Sequence, residues 1–126
     1  FIMINRFWPV MVWAILILAL TALPGNFIPA ISSPWSLLSF DKLIHATLFA
    51  VLVALVFRGL TLQYSQKTFR LKVIALVIFI GIIFGGLTEV MQSILNLGRF
   101  ADIYDFIADS IGAVLGWPLF KIFKVK

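Results

Sequence analysis

The sequence predicts an all-α membrane protein, a four-helix transmembrane bundle with both termini on the cytoplasmic side. Two features of the composition support this prediction: 63% of the 126 residues are apolar, and only 12% are charged. Soluble domains are about 45–50% apolar and about 25% charged, so an ordinary soluble domain is excluded. The third feature is a series of long apolar runs. Segments that cross lipid in so short a chain must be helices, because lipid cannot satisfy an open backbone.

Four apolar runs each approach the roughly 20 residues that a helix needs to cross a bilayer. We expect one integral-membrane domain over residues 1–126, with spans at about residues 7–23, 43–60, 73–97 and 103–123 and a polar loop at residues 61–72. The first run resembles the apolar part of a signal peptide. It lacks a small-residue cleavage site before Pro24-Gly25, and three further spans follow, so we expect it to be retained.

The distribution of Lys and Arg predicts the orientation, since cytoplasmic loops are enriched in both residues. Only Lys42 and Arg99 lie on the side that this rule assigns to the outside. Both termini are therefore expected on the cytoplasmic side, with the bilayer as the partner of the chain. Nucleic acid is not expected, because the bases lie at the ends of apolar runs and not on a polar face. The cytoplasmic bases are Arg6, Arg58, Lys67, Arg70, Lys72, Lys121, Lys124 and Lys126.

All five acidic residues lie in the outward half of this arrangement, and some lie below the membrane surface. At 1.5 Å per residue, Asp109 is roughly 10 Å below Asp102, and Glu89 is roughly 12 Å below the end of the third span. An ionised Asp at the bilayer centre costs about 2.5–3.5 kcal/mol on insertion scales. Such side chains are expected to face the bundle interior or a water-filled cavity.

Helical spacing places these acids on shared faces with small residues that let helices approach closely. Steps of three and four residues join Asp105 and Asp109 to Gly112 and Gly116, and Gly81 and Gly85 to Glu89 and Gln92. Asp41 and His45 are four residues apart at the start of the second span. We therefore predict an outward-facing polar pocket formed by three helices. Its members are Asp41, Lys42, His45, Glu89, Gln92, Arg99, Asp102, Asp105 and Asp109.

Three ordered motifs in this region make the chain resemble the VanZ-like family of small bacterial membrane proteins. They are D-K-x-x-H at residues 41–45, E-x-x-Q at 89–92, and R-x-x-D-x-x-D-x-x-x-D-x-x-G at 99–112. The resemblance extends over residues 41–116. Many family members have Asn at the position of Asp109. The resemblance implies a small helical bundle in the bacterial cytoplasmic membrane, and the founding member is associated with low-level resistance to teicoplanin. It implies no established catalytic set.

The pocket is compatible with an enzyme or with a non-catalytic binding protein for a lipid-linked or cell-envelope ligand. In an enzyme, His45 and Glu89 are expected to act as acid and base, with Asp105 as an orienting catalytic group. Transport is disfavoured, because no polar path to the cytoplasm is visible. The expected ligand-binding residues are Asp41, Lys42, Gln92, Arg99, Asp102 and Asp109.

Two further alternatives concern the cluster of acids itself. With His45, the carboxylates of Glu89, Asp102, Asp105 and Asp109 have the ligand types of a divalent cation site, although no recognised ligand spacing is present. Without metal, the same carboxylates can share a proton. The structural alternative is an ion-pair network that packs the helices together. In that alternative Asp41 caps the second helix, Lys42 extends to the interface and Arg99 neutralises the acids.

Overall fold

Four α-helices form the part of the chain that the structure, a computed structural model, describes: residues 2–22, 40–64, 69–95 and 103–124. They are α1 (Ile2–Ala22), α2 (Phe40–Tyr64), α3 (Leu71–Leu95) and α4 (Ile103–Lys124). All regular secondary structure within these ranges is helical, which confirms the predicted all-α class and the number of helices.

Three of the helices are long and apolar enough to cross a membrane: Lys42–Tyr64 in α2, Leu71–Ile94 in α3 and Ile103–Phe123 in α4. The apolar stretch found in α1, Arg6–Leu20, is shorter, so a membrane crossing by α1 stays a prediction. The prediction of a polar loop at residues 61–72 is wrong at both ends, because α2 continues to Tyr64 and α3 already begins at Leu71. Polar side chains alone do not end a helix when neither Pro nor Gly interrupts it.

The contacts between helices define the topology. Ala46 of α2 faces Gly112 of α4, and the later Val53 faces the later Gly116, so α2 and α4 run parallel. Gly81 of α3 approaches Val53 of α2, and the later Gly85 approaches the earlier Phe49, so α3 runs antiparallel to both. The N-terminal ends of α2 and α4 therefore lie beside the C-terminal end of α3. We call this the acidic end of the bundle, and the other the basic end.

Helices α2 and α4 share the most extensive contact in the described bundle, and glycine makes it possible. A Cβ atom at Gly112 would overlap the backbone carbonyl of Ala46, and one at Gly116 would overlap the side chain of Val53 and approach the carbonyl of Ala50. The two backbones thus touch directly, as small residues permit in membrane helices. The predicted role of this glycine face in packing is confirmed.

Aromatic side chains fill the core near the basic end. Phe57 is fully buried, and its ring centroid lies 4.9 Å from that of Trp117 in an edge-to-face arrangement. Phe69 and Phe120 complete this aromatic cluster. Lys121 Nζ lies 5.7 Å from the Trp117 ring centroid. Aromatic pairs of this geometry add about 0.5–1.5 kcal/mol beyond their buried area, so this end of the bundle is well fixed.

Helix α1 packs against α2 in the antiparallel direction. Trp13 Nε1 donates a hydrogen bond of 2.9 Å to the carbonyl oxygen of Leu48, and Ile17 packs against Phe49. Nearer the basic end, the guanidinium of Arg6 donates to the carbonyl oxygen of Leu62. Many large apolar side chains on the outer faces of the four helices are exposed, which is the surface that a lipid environment requires.

Candidate functional site

Six polar side chains from three helices gather near the acidic end, and we call them the polar cluster. Five of the six residues are buried, and Asp109 is completely so, with 0% of its surface exposed. Only His45 is partly exposed. The polar cluster consists of Lys42 and His45 from α2, Glu89 and Gln92 from α3, and Asp105 and Asp109 from α4.

The centre of the polar cluster is a contact between His45 and Asp109. Nδ1 of His45 and Oδ1 of Asp109 are 2.8 Å apart, and the Nδ1–H tautomer donates a hydrogen bond to the carboxylate. The other ring nitrogen, Nε2, lies 3.9 Å from Oδ2 of Asp105. The imidazole of α2 is therefore placed between two carboxylates of α4, and its hydrogen bond with Asp109 is a path for proton exchange.

A second contact joins the same two helices one turn closer to their N-termini. The ammonium group of Lys42 forms an ion pair with Asp105, and both side chains are only 7% exposed. Sequence analysis placed Lys42 at the interface or on a ligand and did not anticipate this pair. The spacing explains the pair only once α2 and α4 are known to run parallel: Lys42 precedes His45 by three residues and Asp105 precedes Asp109 by four, so both pairs come into contact.

Helix α3 supplies the third side of the polar cluster. Glu89 and Gln92 are buried on one face, as their spacing predicted, and Gly85 lies one turn before Glu89. A Cβ atom at Gly85 would lie 3.0 Å from Cβ of Asp109 and 3.3 Å from its Oδ2. The absence of a side chain at Gly85 therefore makes room for the Asp109 carboxylate between the helices.

The buried carboxylate of Asp109 is only partly satisfied by the residues that the structure describes. Oδ2 of Asp109 is buried and finds no hydrogen-bond partner among the residues that the structure describes. Buried polar atoms nearly always have a partner, and each exception calls for an explanation such as a catalytic role or a bound ion. His45, Glu89 and Asp109 also offer one ligand atom each within 4.8 Å of one another. Imidazole nitrogens and carboxylate oxygens are donor types that bind divalent cations.

Three members of the predicted pocket cannot be added to this geometry. Arg99 and Asp102 lie outside the described residues. Asp41 lies in α2, but its side chain is also outside the described part. The six members of the polar cluster are thus the part of the predicted pocket that the structure brings together.

The hydroxyl groups beside the polar cluster are engaged within their own helices. Ser110 Oγ donates to the carbonyl oxygen of Phe106 at 2.9 Å, and Thr88 Oγ1 donates to that of Gly85 at 2.7 Å. Hydrogen bonds of this kind to the preceding turn are common for Ser and Thr in helices. Both hydroxyls thus donate to backbone carbonyl oxygens, and not to a described side chain that could serve as the general base of nucleophilic catalysis.

Comparison with known proteins identifies one family. The model of the family described as VanZ/LLP1 matches residues 3–124. The match extends over nearly the whole chain and includes all six members of the polar cluster. It agrees with the resemblance that the motifs at residues 41–116 indicated. No curated protein and no solved structure showed significant similarity to the chain.

Proposed function

The chain belongs to the VanZ/LLP1 family, and we propose that it is a membrane protein whose polar cluster binds a lipid-linked ligand of the cell envelope. One observation supports this proposal above the others: charged side chains of three membrane-compatible helices are buried together at one level. Ionisable groups inside membrane helices are costly and mark ligand or ion sites as a rule. An apolar core would hold the helices together without that cost.

The depth of the polar cluster fits the headgroup of a lipid. His45 is five residues into α2, Asp109 six residues into α4, and Glu89 six residues before the end of α3. At 1.5 Å per residue, all three lie about 8–9 Å from the helix ends. A phosphate or sugar headgroup can reach this level while its hydrocarbon chain stays in the bilayer.

The polar cluster offers groups for both parts of such a ligand. In this proposal, Lys42 leaves Asp105 and binds an anionic phosphate instead. The flexible lysine side chain allows this exchange. Gln92 and the carboxylates accept hydrogen bonds from sugar hydroxyls. We assign Asp41, Arg99 and Asp102 to the same ligand, on the sequence motifs alone.

The orientation and the physiological role are further parts of the proposal. The exposed bases Arg58, Arg70, Lys72 and Lys121 lie at the basic end, and the positive-inside rule assigns that end to the cytoplasm. The polar cluster then faces outward, with both termini inside. The family resemblance leads us to propose that ligand binding lowers the sensitivity of the cell to teicoplanin.

Catalysis is the second form of this hypothesis. It assigns proton transfer to His45 and Glu89 and an orienting role to Asp105. The position of the His45 ring between Asp109 and Asp105 favours it, since an imidazole held between carboxylates can act as acid or base. We place binding first, because the two described hydroxyls beside the polar cluster, Ser110 and Thr88, donate to carbonyl oxygens of their own helices.

A purely structural role is the competing hypothesis, and a specific observation favours it. The contacts Lys42–Asp105 and His45–Asp109 both join α2 to α4. If they serve only to pack the helices, Asp109→Asn and Glu89→Gln lower the melting temperature in mild detergent. If the acids serve a ligand, these neutral variants are as stable as wild type or more so, because sites are often maintained at a cost in stability.

Binding is tested directly with a polyprenyl phosphate as the probe and the uncharged polyprenol as its control. We expect native mass spectrometry of the purified chain to show one phosphate lipid bound and to show loss of that complex in Lys42→Gln and His45→Ala. Ser110→Ala, beside Asp109 but engaged within its own helix, is the matched control and should bind as wild type does. Equal binding of polyprenol and polyprenyl phosphate contradicts the proposal.

The cellular part is tested separately. Expression of the wild-type chain in a susceptible bacterium should raise the inhibitory concentration of teicoplanin, and His45→Ala should abolish that rise at equal membrane abundance. A rise that persists in His45→Ala would separate the phenotype from the polar cluster.

A further inference from the structure

We infer that the triad of His45, Glu89 and Asp109 is a binding site for a divalent transition metal ion of the Zn²⁺ or Mn²⁺ class. This goes beyond ligand binding by the polar cluster and does not depend on it. The three residues come from α2, α3 and α4, and their ligand atoms lie within 4.8 Å of one another. A single ion at their centre would therefore contact three helices at once.

The donor set selects the class of metal. One imidazole nitrogen and two carboxylate oxygens form a mixed set that fits Zn²⁺, Mn²⁺ or Fe²⁺ better than Ca²⁺ or Mg²⁺, which take oxygen ligands almost exclusively. Three protein ligands with a fourth position left for water or substrate are typical of catalytic zinc sites. The ionised carboxylates of Glu89 and Asp109 together carry the charge that a divalent cation neutralises.

A second observation, independent of the clustering, points to a ligand at this position. Oδ2 of Asp109 is completely buried and has no hydrogen-bond partner among the described residues. It points towards α3 at the level of Gly85, one turn from Glu89, where a Cβ atom would lie only 3.3 Å away. The missing side chain of Gly85 leaves space beside this oxygen, whereas a Cβ atom there would crowd it.

The remaining charges of the polar cluster support the arrangement. Lys42 pairs with Asp105, so this neighbouring pair is neutral and need not repel a cation. Asp105 also lies 3.9 Å from Nε2 of His45, close enough to orient the ring. Carboxylates that orient a metal-ligating imidazole are frequent around metal sites and strengthen binding.

Metal content decides the inference. The full chain, purified in mild detergent, is dialysed against Mn²⁺ or Zn²⁺, and bound metal is counted by mass spectrometry. We expect about one ion per chain in wild type and at least a tenfold weaker affinity in His45→Ala, Glu89→Gln and Asp109→Asn. Loss of a residue that merely orients a metal ligand already costs about 10–100-fold. Ser110→Ala is the matched control and should bind as wild type does.

Two results overturn the inference: no metal bound to the wild-type chain, or equal binding by wild type and all three triad variants. Where a variant fails to fold, pulsed electron paramagnetic resonance of Mn²⁺ on the wild-type chain decides instead. Coupling to a histidine nitrogen is expected, and coordination by oxygen alone contradicts the site. Because His45 is the single histidine in the chain, such coupling identifies the ligand. Metal binding without lipid binding would leave this inference intact and refute the proposed function.

Discussion

Replacement of Gly112 by Ala tests the contact that sets the geometry of the whole site. A Cβ atom at this position would lie 2.8 Å from the carbonyl carbon of Ala46 and 2.9 Å from its Cα. Carbon atoms pack best at about 3.5–4.0 Å, so α4 must move away from α2 by about 1 Å. Overpacking of this kind typically costs about 1–3 kcal/mol. We expect the free energy of unfolding of Gly112→Ala to fall by that amount.

Gly86→Ala is the matched control for this experiment. Gly86 also lies inside a helix, but a Cβ atom there meets only Cε1 of Phe106, at an ordinary distance of 3.5 Å. Both substitutions change the intrinsic helix propensity equally, by about 0.8–1.0 kcal/mol in favour of Ala on scales measured in water. The difference in stability between the two variants therefore isolates the contact between α2 and α4.

Unfolding in mixed micelles of mild detergent and SDS, followed by helical circular dichroism, measures both free energies. Gly112→Ala should be the less stable variant, and Gly86→Ala should match wild type or exceed it. If Gly112→Ala is as stable as Gly86→Ala, the direct backbone contact at Ala46 is wrong, and so is the alignment of His45 with Asp109 that follows from it.

The same assay tests three further contacts. Lys42→Met should destabilise by about 3–5 kcal/mol because it leaves Asp105 buried without its cation, and the added Asp105→Asn should restore most of that loss; no recovery would contradict the ion pair. Trp13→Phe should cost about 0.5–1.5 kcal/mol for the lost hydrogen bond to Leu48; unchanged stability would exclude that bond. Phe57→Ala should cost up to about 3–5 kcal/mol, and a neutral effect would refute its position in the core.

The four helices and the polar faces of α3 and α4 could be predicted from the sequence, because both follow from local spacing. Steps of three and four residues correctly put Glu89 with Gln92 on one buried face and Asp105 with Asp109 on another. The composition excluded an ordinary soluble domain, because the fraction of apolar residues can be counted without knowledge of any contact.

The contacts between side chains of different helices could not be predicted from local spacing. The contact of Lys42 with Asp105 joins residues 63 positions apart, and it depends on the parallel alignment of α2 with α4. That alignment is set by which backbone Gly112 approaches, and no local pattern names Ala46 as the partner. Sequence reasoning therefore identified the glycine as a packing residue and placed Lys42 at the interface or on a ligand, without its buried ion pair with Asp105.

Part of the contact between the helices does not depend on the polar cluster. Edge-to-face packing of Phe57 with Trp117 fixes the helices near the basic end, and the close approach of Gly112 to the backbone of Ala46 fixes α4 against α2 near the polar cluster. Neither contact requires an ionised side chain.

The contacts Lys42–Asp105 and His45–Asp109 also join α2 to α4. Burial of charged groups about 9 Å from the helix ends nevertheless carries a desolvation cost that such pairs often fail to recover. The cation site that we infer would give this cost a purpose, because the charge of a bound ion neutralises the carboxylates of Glu89 and Asp109.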